Sequence, residues 1–134
     1  MSVHARAWLE FDLAALRDNA RALSAHTGTR LAPVLKADAY GLGAGPVAQA
    51  LEPLDPWGYC VATPSEGSAL RDAGIRRPIL CCPPMDPAEA GDVVRAHLQP
   101  AIGNIDAWTA FQGAGGTEWR LAVVLEVRQA DARL

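Results

Sequence analysis

Val34-Leu35-Lys36-Ala37-Asp38-Ala39-Tyr40-Gly41-Leu42-Gly43 joins the end of an apolar stretch to the start of a Gly-rich turn. A lysine at that junction leaves a buried strand and sheds part of its hydration. Desolvation disfavours the ammonium form, so the sequence predicts an amine able to attack a carbonyl. Gly41 and Gly43 permit tight turning, and Tyr40 supplies a phenol four residues on. The competing reading is a strand-end lysine reaching for solvent.

Outward from this run, apolar strand-like segments alternate with helix-like ones. Asp12 is placed to cap a helix whose Leu13, Leu16, Ala20 and Leu23 recur at helical spacing until Gly28. Arg30 to Leu35 reads as a strand, Ala44 to Leu51 as a helix, and Trp57 to Ala62 as a second strand. A helix over Ser65 to Ala73 follows, with Gly74 at its C-terminal cap. Ile79 to Cys82 reads as a third strand, stopped by Pro83-Pro84. Asp86-Pro87-Ala88-Glu89 has the signature of a helix start, running to about His97. Leu98 to Ile102 is a fourth strand. Asn104 caps a helix to Phe111, Gly113 to Gly116 form a loop, and Arg120 to Val127 is a fifth strand.

Strands apolar throughout and separated by helices predict a parallel sheet covered on both faces. Without a GxGxxG fingerprint, about five βα units favour a partial (β/α)8 TIM-type barrel over a dinucleotide-binding sheet. A whole barrel takes about 250 residues, and the chain has 134. The expectation is therefore a truncated α/β barrel, the N-terminal portion of a longer protein.

Composition narrows the class. Half of the residues are hydrophobic, a fifth are charged, and the net charge is −3, with no basic cluster of the kind nucleic acid requires. No apolar run approaches the roughly 20 residues that span a bilayer. Met1 to Arg6 lacks a signal-peptide core, and three cysteines, two adjacent as Cys81-Cys82, lack metal-ligand spacing. A reduced cytoplasmic setting is the simplest expectation. His4, His26 and His97 are too scattered to hold a metal, and Trp8, Trp57, Trp108 and Trp119 read as packing residues.

The run from Lys36 to Gly43 resembles the cofactor-lysine segment of the alanine racemases, fold-type III enzymes that use pyridoxal 5′-phosphate (PLP). That segment usually reads Lys, Ala, Asp or Asn, Ala, Tyr, Gly, His, Gly, and Leu42 stands where histidine is common. Similarity extends to Arg6-Ala7-Trp8-Leu9-Glu10-Phe11-Asp12-Leu13 and Leu16-Arg17-Asp18-Asn19, which resemble the family's opening strand and first helix. It continues through Val61-Ala62, Glu66, Leu70-Arg71, Gly74-Ile75 and Pro78-Ile79-Leu80.

The resemblance implies that residues 1–134 are the N-terminal portion of the PLP-binding barrel domain, without the rest of the barrel and the C-terminal β-domain. It implies that Lys36 is the Schiff-base lysine and an acid/base toward the substrate's α-proton. Tyr40 would lie beside the cofactor phosphate. Cys82 would stand where the family places an apolar residue against the PLP ring, and packs as a small hydrophobe on the competing reading. Arg133 matches an arginine that lies near the cofactor's phenolic oxygen and the substrate carboxylate. Glu126 falls on a lysine that many members carboxylate, so a glutamate there would supply the same negative charge to orient Arg133. The family's second acid/base is a tyrosine from the partner subunit, and no residue here matches it.

The implied activity is racemisation of L- and D-alanine for cell-wall precursor supply, in a homodimer of the full-length protein. The truncated chain alone is expected to be inactive. Gln129-Ala130-Asp131 replaces the family's Thr-Gly-Met turn, which keeps open a divergent racemase acting on another amino acid. A decarboxylase or D-amino-acid lyase on the same barrel is a further alternative. A non-catalytic PLP-binding barrel fragment is the reading from another class.

Overall fold

The computed structural model describes residues 9–116. In chain order these form α1 (Leu13–Thr27), α2 (Lys36–Gly41), α3 (Ala44–Leu51), β1 (Tyr59–Val61), α4 (Pro64–Asp72), β2 (Ile79–Pro84), α5 (Ala90–Arg95), β3 (Gln99–Ala101) and α6 (Ile105–Gly113). Single 3-10 turns cover Glu52–Leu54 and Pro87–Glu89.

The helix ends follow the polar residues that precede them. Asp12 Oδ1 accepts the amides of Ala14 at 2.8 Å and Ala15 at 3.1 Å, so two of the donors left over at the start of α1 are satisfied. Gly28 closes the same helix at φ 66°, a left-handed cap that a β-carbon would disfavour. Asn104 Oδ1 accepts from Ala107 at 2.8 Å at the start of α6.

The sheet is parallel, in the order β1-β2-β3. Val34 adds an isolated parallel bridge to Cys60, so the segment before Lys36 lies beside β1. Strand neighbours thus follow chain order without reversal. With right-handed crossovers, that order puts every connecting helix on one side and curls the sheet as a barrel does. On the helix side Tyr59, Val61, Ile79 and Cys81 are buried, together with Leu70 of α4, Val93 of α5 and Phe111 of α6. Each fully buried side chain of this size contributes roughly 1.5–3 kcal/mol. The helices sit close: a β-carbon on Gly67 of α4 would come within 2.7 Å of both Leu98 methyls, so alanine there would make the Leu98 side chain shift.

Two strand expectations need correction. Arg30 to Leu35 contracts to the bridge at Val34, held by Leu35 N donating to Cys60 O at 2.7 Å and Cys60 N donating to Pro33 O at 2.9 Å. Pro33 has no N–H for the preceding rung, which ends the ladder there. Conversely, Pro83-Pro84 does not stop β2, which runs through both. The register to β3 shifts between Cys81 and Pro84, so the prolines occupy an irregular stretch where amide donors are not demanded.

At the N-terminal ends of the strands, two arginines tie loops together. Arg71 donates to the carbonyls of Ile75, Arg77, Ala96 and His97 at 2.7–3.1 Å. Arg77 reaches Glu52 at 3.0 Å and Asp55 at 2.8 Å, and this pairing holds the Asp55 carboxyl below its ordinary range.

Candidate active site

Lys36 begins α2, directly after the paired strand segment. Ala37, Asp38, Ala39 and Tyr40 all have left-handed backbones, with φ between 50° and 57° and ψ between 35° and 50°. Side-chain sterics disfavour this conformation by about 1–2 kcal/mol per residue for most residues other than glycine, less so for Asp and Asn. The expected Gly-rich turn is therefore a left-handed helical turn made of non-glycine residues, with Gly41 and Gly43 at φ 85° and 90° releasing the chain from it. Consecutive strained residues persist only where their surroundings over-determine them.

The surroundings do so here. Ala39 is buried and donates its amide to Leu35 O at 2.9 Å. Gly43 N donates to Asp38 O at 2.9 Å, and Ala44 N donates to Asp38 Oδ1 at 2.7 Å. Ala37 N donates to Glu66 Oε1 at 2.8 Å. The second oxygen of Glu66 accepts from Ala62 N at 2.8 Å and Thr63 N at 3.3 Å, at the end of β1. Glu66 is the third residue of α4 and belongs to a capping box with Thr63.

Register brings one other predicted residue, Cys82, level with Lys36. Val34 pairs with Cys60, and Cys60 with Leu80. Two residues beyond each of these lie Lys36, Ala62 and Cys82, level with one another toward the C-terminal side of the sheet, where barrel chemistry is built. Cys82 is exposed, on the face opposite the helices. Cys60 and Cys81 are buried. Burial raises both thiols, with Glu89 adding for Cys81, which is pushed up to about 12.

One expectation about Lys36 is revised. Among the described residues the side chain is exposed, where the sequence predicts partial desolvation. Tyr40, at the other end of the turn, is 65% exposed. The turn thus offers a primary amine and a phenol, both accessible, within five residues. That donor set suits a phosphorylated aldehyde: an amine to hold its carbonyl carbon and a hydroxyl to donate to a phosphate oxygen. Glu126 and Arg133 lie outside the described residues, as do His4, Trp8 and Trp119 and the strand expected over 120–127. Trp57 and Trp108 are partly buried, and Trp108 packs near Phe111 with ring centroids 6.4 Å apart. Among the described residues no group of His, Cys, Asp or Glu is arranged to hold a metal, and no helix is long and apolar enough to cross a membrane.

Two residues that hold the turn, Asp38 and Glu66, have no role assigned to them by the sequence alone. Asp38 was legible only as part of the lysine segment. Glu66 carried a usable signal, since Thr63-Pro64-Ser65-Glu66 is a capping-box pattern. Its reach to Ala37 depends on the strand pairing and could not be read from spacing.

Comparison with known proteins identifies the family and the fold. Residues 11–134 match the family model described as "Alanine racemase, N-terminal domain". A curated alanine racemase from Syntrophobacter fumaroxidans is 42% identical over 104 residues, covering 76% of this chain and 28% of the relative. The crystal structure of alanine racemase from Oenococcus oeni superposes with a TM-score of 0.76 at 27% identity, covering 93% of this chain and 36% of that one. A histidine racemase from Leuconostoc mesenteroides shares the fold, with a TM-score of 0.71 at 23% identity over 81% of this chain and 30% of that one. The chain therefore spans between about a quarter and a little over a third of the lengths of these relatives.

Proposed function

The chain belongs to the alanine racemase family, and on that premise we propose that it supplies the part of the cofactor domain that presents Lys36 for PLP-dependent racemisation of alanine. Its α/β fold is part of the family's barrel. The observation that carries the proposal is the turn itself. Four left-handed non-glycine residues follow directly on Lys36, and bonds from Leu35, Asp38 and Glu66 hold them. A structural loop gains nothing from such strain, whereas a site that must fix one amine at a strand end does.

Lys36 would hold PLP covalently, and Tyr40 would donate to its phosphate. Cys82 would present a small apolar side chain toward the ring from within β2. When bound, PLP acts as an electron sink for charge developed at the substrate's Cα. Within the protein's own contribution, the Lys36 amine takes up or returns the α-proton on one face, and the rim orients it for that purpose. Glu126 and Arg133 are proposed to act together: the carboxylate orients the guanidinium, which binds the substrate carboxylate through a charge-assisted pair. The proton on the other face is assigned to a group outside these residues.

The cellular reading that follows is supply of D-alanine for cell-wall precursors by a cytoplasmic homodimer of the full-length protein. Because a histidine racemase shares this fold, the fold alone does not select the substrate. The test is interconversion of D- and L-alanine by the full-length protein, run against a panel of other amino acids. Turnover confined to alanine is the expected result, and turnover of another amino acid alone would displace alanine as the substrate.

A further inference from the structure

Glu66 is placed by its hydrogen bonds in a role larger than capping. In a capping box, the third residue of the helix reaches back to the amide of the cap, here Thr63. Glu66 does so only at 3.3 Å, while its two shortest bonds, both 2.8 Å, go to Ala62 just past β1 and to Ala37 on the left-handed turn. One carboxylate therefore joins three amides from two neighbouring strand ends. Ala37 is the residue after Lys36, and its amide lies at the start of α2, where no earlier turn of helix can supply an acceptor. The remaining ties described for the turn involve Asp38 or Ala39, farther along it. At the lysine end, the side chain that fixes the backbone is Glu66.

We propose that Glu66 is a positioning residue for Lys36: its carboxylate clamps the Ala37 amide to the end of β1 and thereby sets where the Lys36 amine enters the rim. The proposal rests on the reading of Lys36 as the cofactor lysine. It involves no contact of Glu66 with substrate or cofactor. An ionised carboxylate suits the task because both oxygens accept, and charge-assisted bonds to amides are the strong ones. Glutamine keeps the shape but turns one end into a donor, which must face either Ala37 N–H or the pair Ala62 and Thr63.

The experiment uses the full-length PLP-loaded enzyme with Glu66→Gln, and Ala69→Gly as a control. Ala69→Gly weakens α4 through helix propensity at an exposed position and leaves the carboxylate in place. Amide hydrogen exchange of the 36–41 segment is measured alongside kcat and KM. For Glu66→Gln, exchange in 36–41 should accelerate about tenfold, and kcat should fall about tenfold or more while KM changes less, as expected when an amine is displaced rather than removed. Ala69→Gly should leave exchange in 36–41 and kcat at wild-type values. Equal effects from the two variants would show that Glu66 acts only by stabilising α4, and wild-type behaviour of Glu66→Gln would likewise overturn the proposal. Should Glu66→Gln fail to fold, Glu66→Asp replaces it. The shorter side chain can retain the cap of α4 but not the reach to Ala37, so accelerated exchange confined to 36–41 is expected, and unchanged exchange there overturns the clamp. Reductive trapping of PLP on wild-type Lys36 is run in parallel, so that failure of the clamp and failure of the cofactor-lysine reading are told apart.

Discussion

Asp38 Oδ1 accepts the amide of Ala44 at 2.7 Å, so the carboxylate of the left-handed turn also serves the first residue of the helix that follows. The geometry explains why Asp or Asn suits this position. Both supply a short side-chain oxygen at the required reach, and both tolerate left-handed backbone better than other residues. Gly43, the nominal cap of α3, has no side chain to do this.

Asp38→Asn should therefore be nearly neutral in stability, while Asp38→Ala should cost about 1 kcal/mol, the usual loss when a helix cap is removed. Chemical denaturation of the full-length protein measures both. Equal losses from the two variants would argue that charge rather than the acceptor oxygen matters.

Ala37 and Ala22 offer a test in which the sign of one substitution reverses. Ala22 lies exposed in the right-handed α1, where Ala22→Gly should destabilise by roughly 0.5–1 kcal/mol. Ala37 has φ 50°, where glycine relieves steric strain, so Ala37→Gly should stabilise by about 1 kcal/mol. A loss at both sites, read from denaturation midpoints, would mean that the turn is not left-handed in solution.

The three cysteines should separate by reactivity. Cys82 is exposed among the described residues and should be alkylated by iodoacetamide in the folded 134-residue chain at pH 8. Cys60 and Cys81 are buried, and burial holds both thiols protonated well above that pH, so their labelling should wait for unfolding. Mass spectrometry of the labelled peptides decides it. Modification of Cys81 before Cys82 would contradict the assigned faces of β2.

Much of the helical framework was legible in the sequence because its signals are local. Asp12, Gly28 and Asn104 act within three or four residues of where they stand, and α1, α3 and α6 fall where these residues and the apolar spacing put them. The strand edges were less legible, since Pro33 ends a ladder and Pro83-Pro84 does not, and the difference lies in which partner each strand meets. The strained turn was least legible. Ala37, Asp38, Ala39 and Tyr40 have no intrinsic preference for left-handed backbone as a group, and the contacts that impose it come from Leu35 and from Glu66, 29 residues away from Ala37.

The most direct measurement is borohydride reduction of the PLP-loaded full-length enzyme followed by peptide mapping, with and without Lys36→Ala. The phosphopyridoxyl group should be found on Lys36, and the variant should carry none. Covalent PLP on another lysine, or undiminished trapping in Lys36→Ala, would contradict the assignment of this amine as the cofactor's anchor.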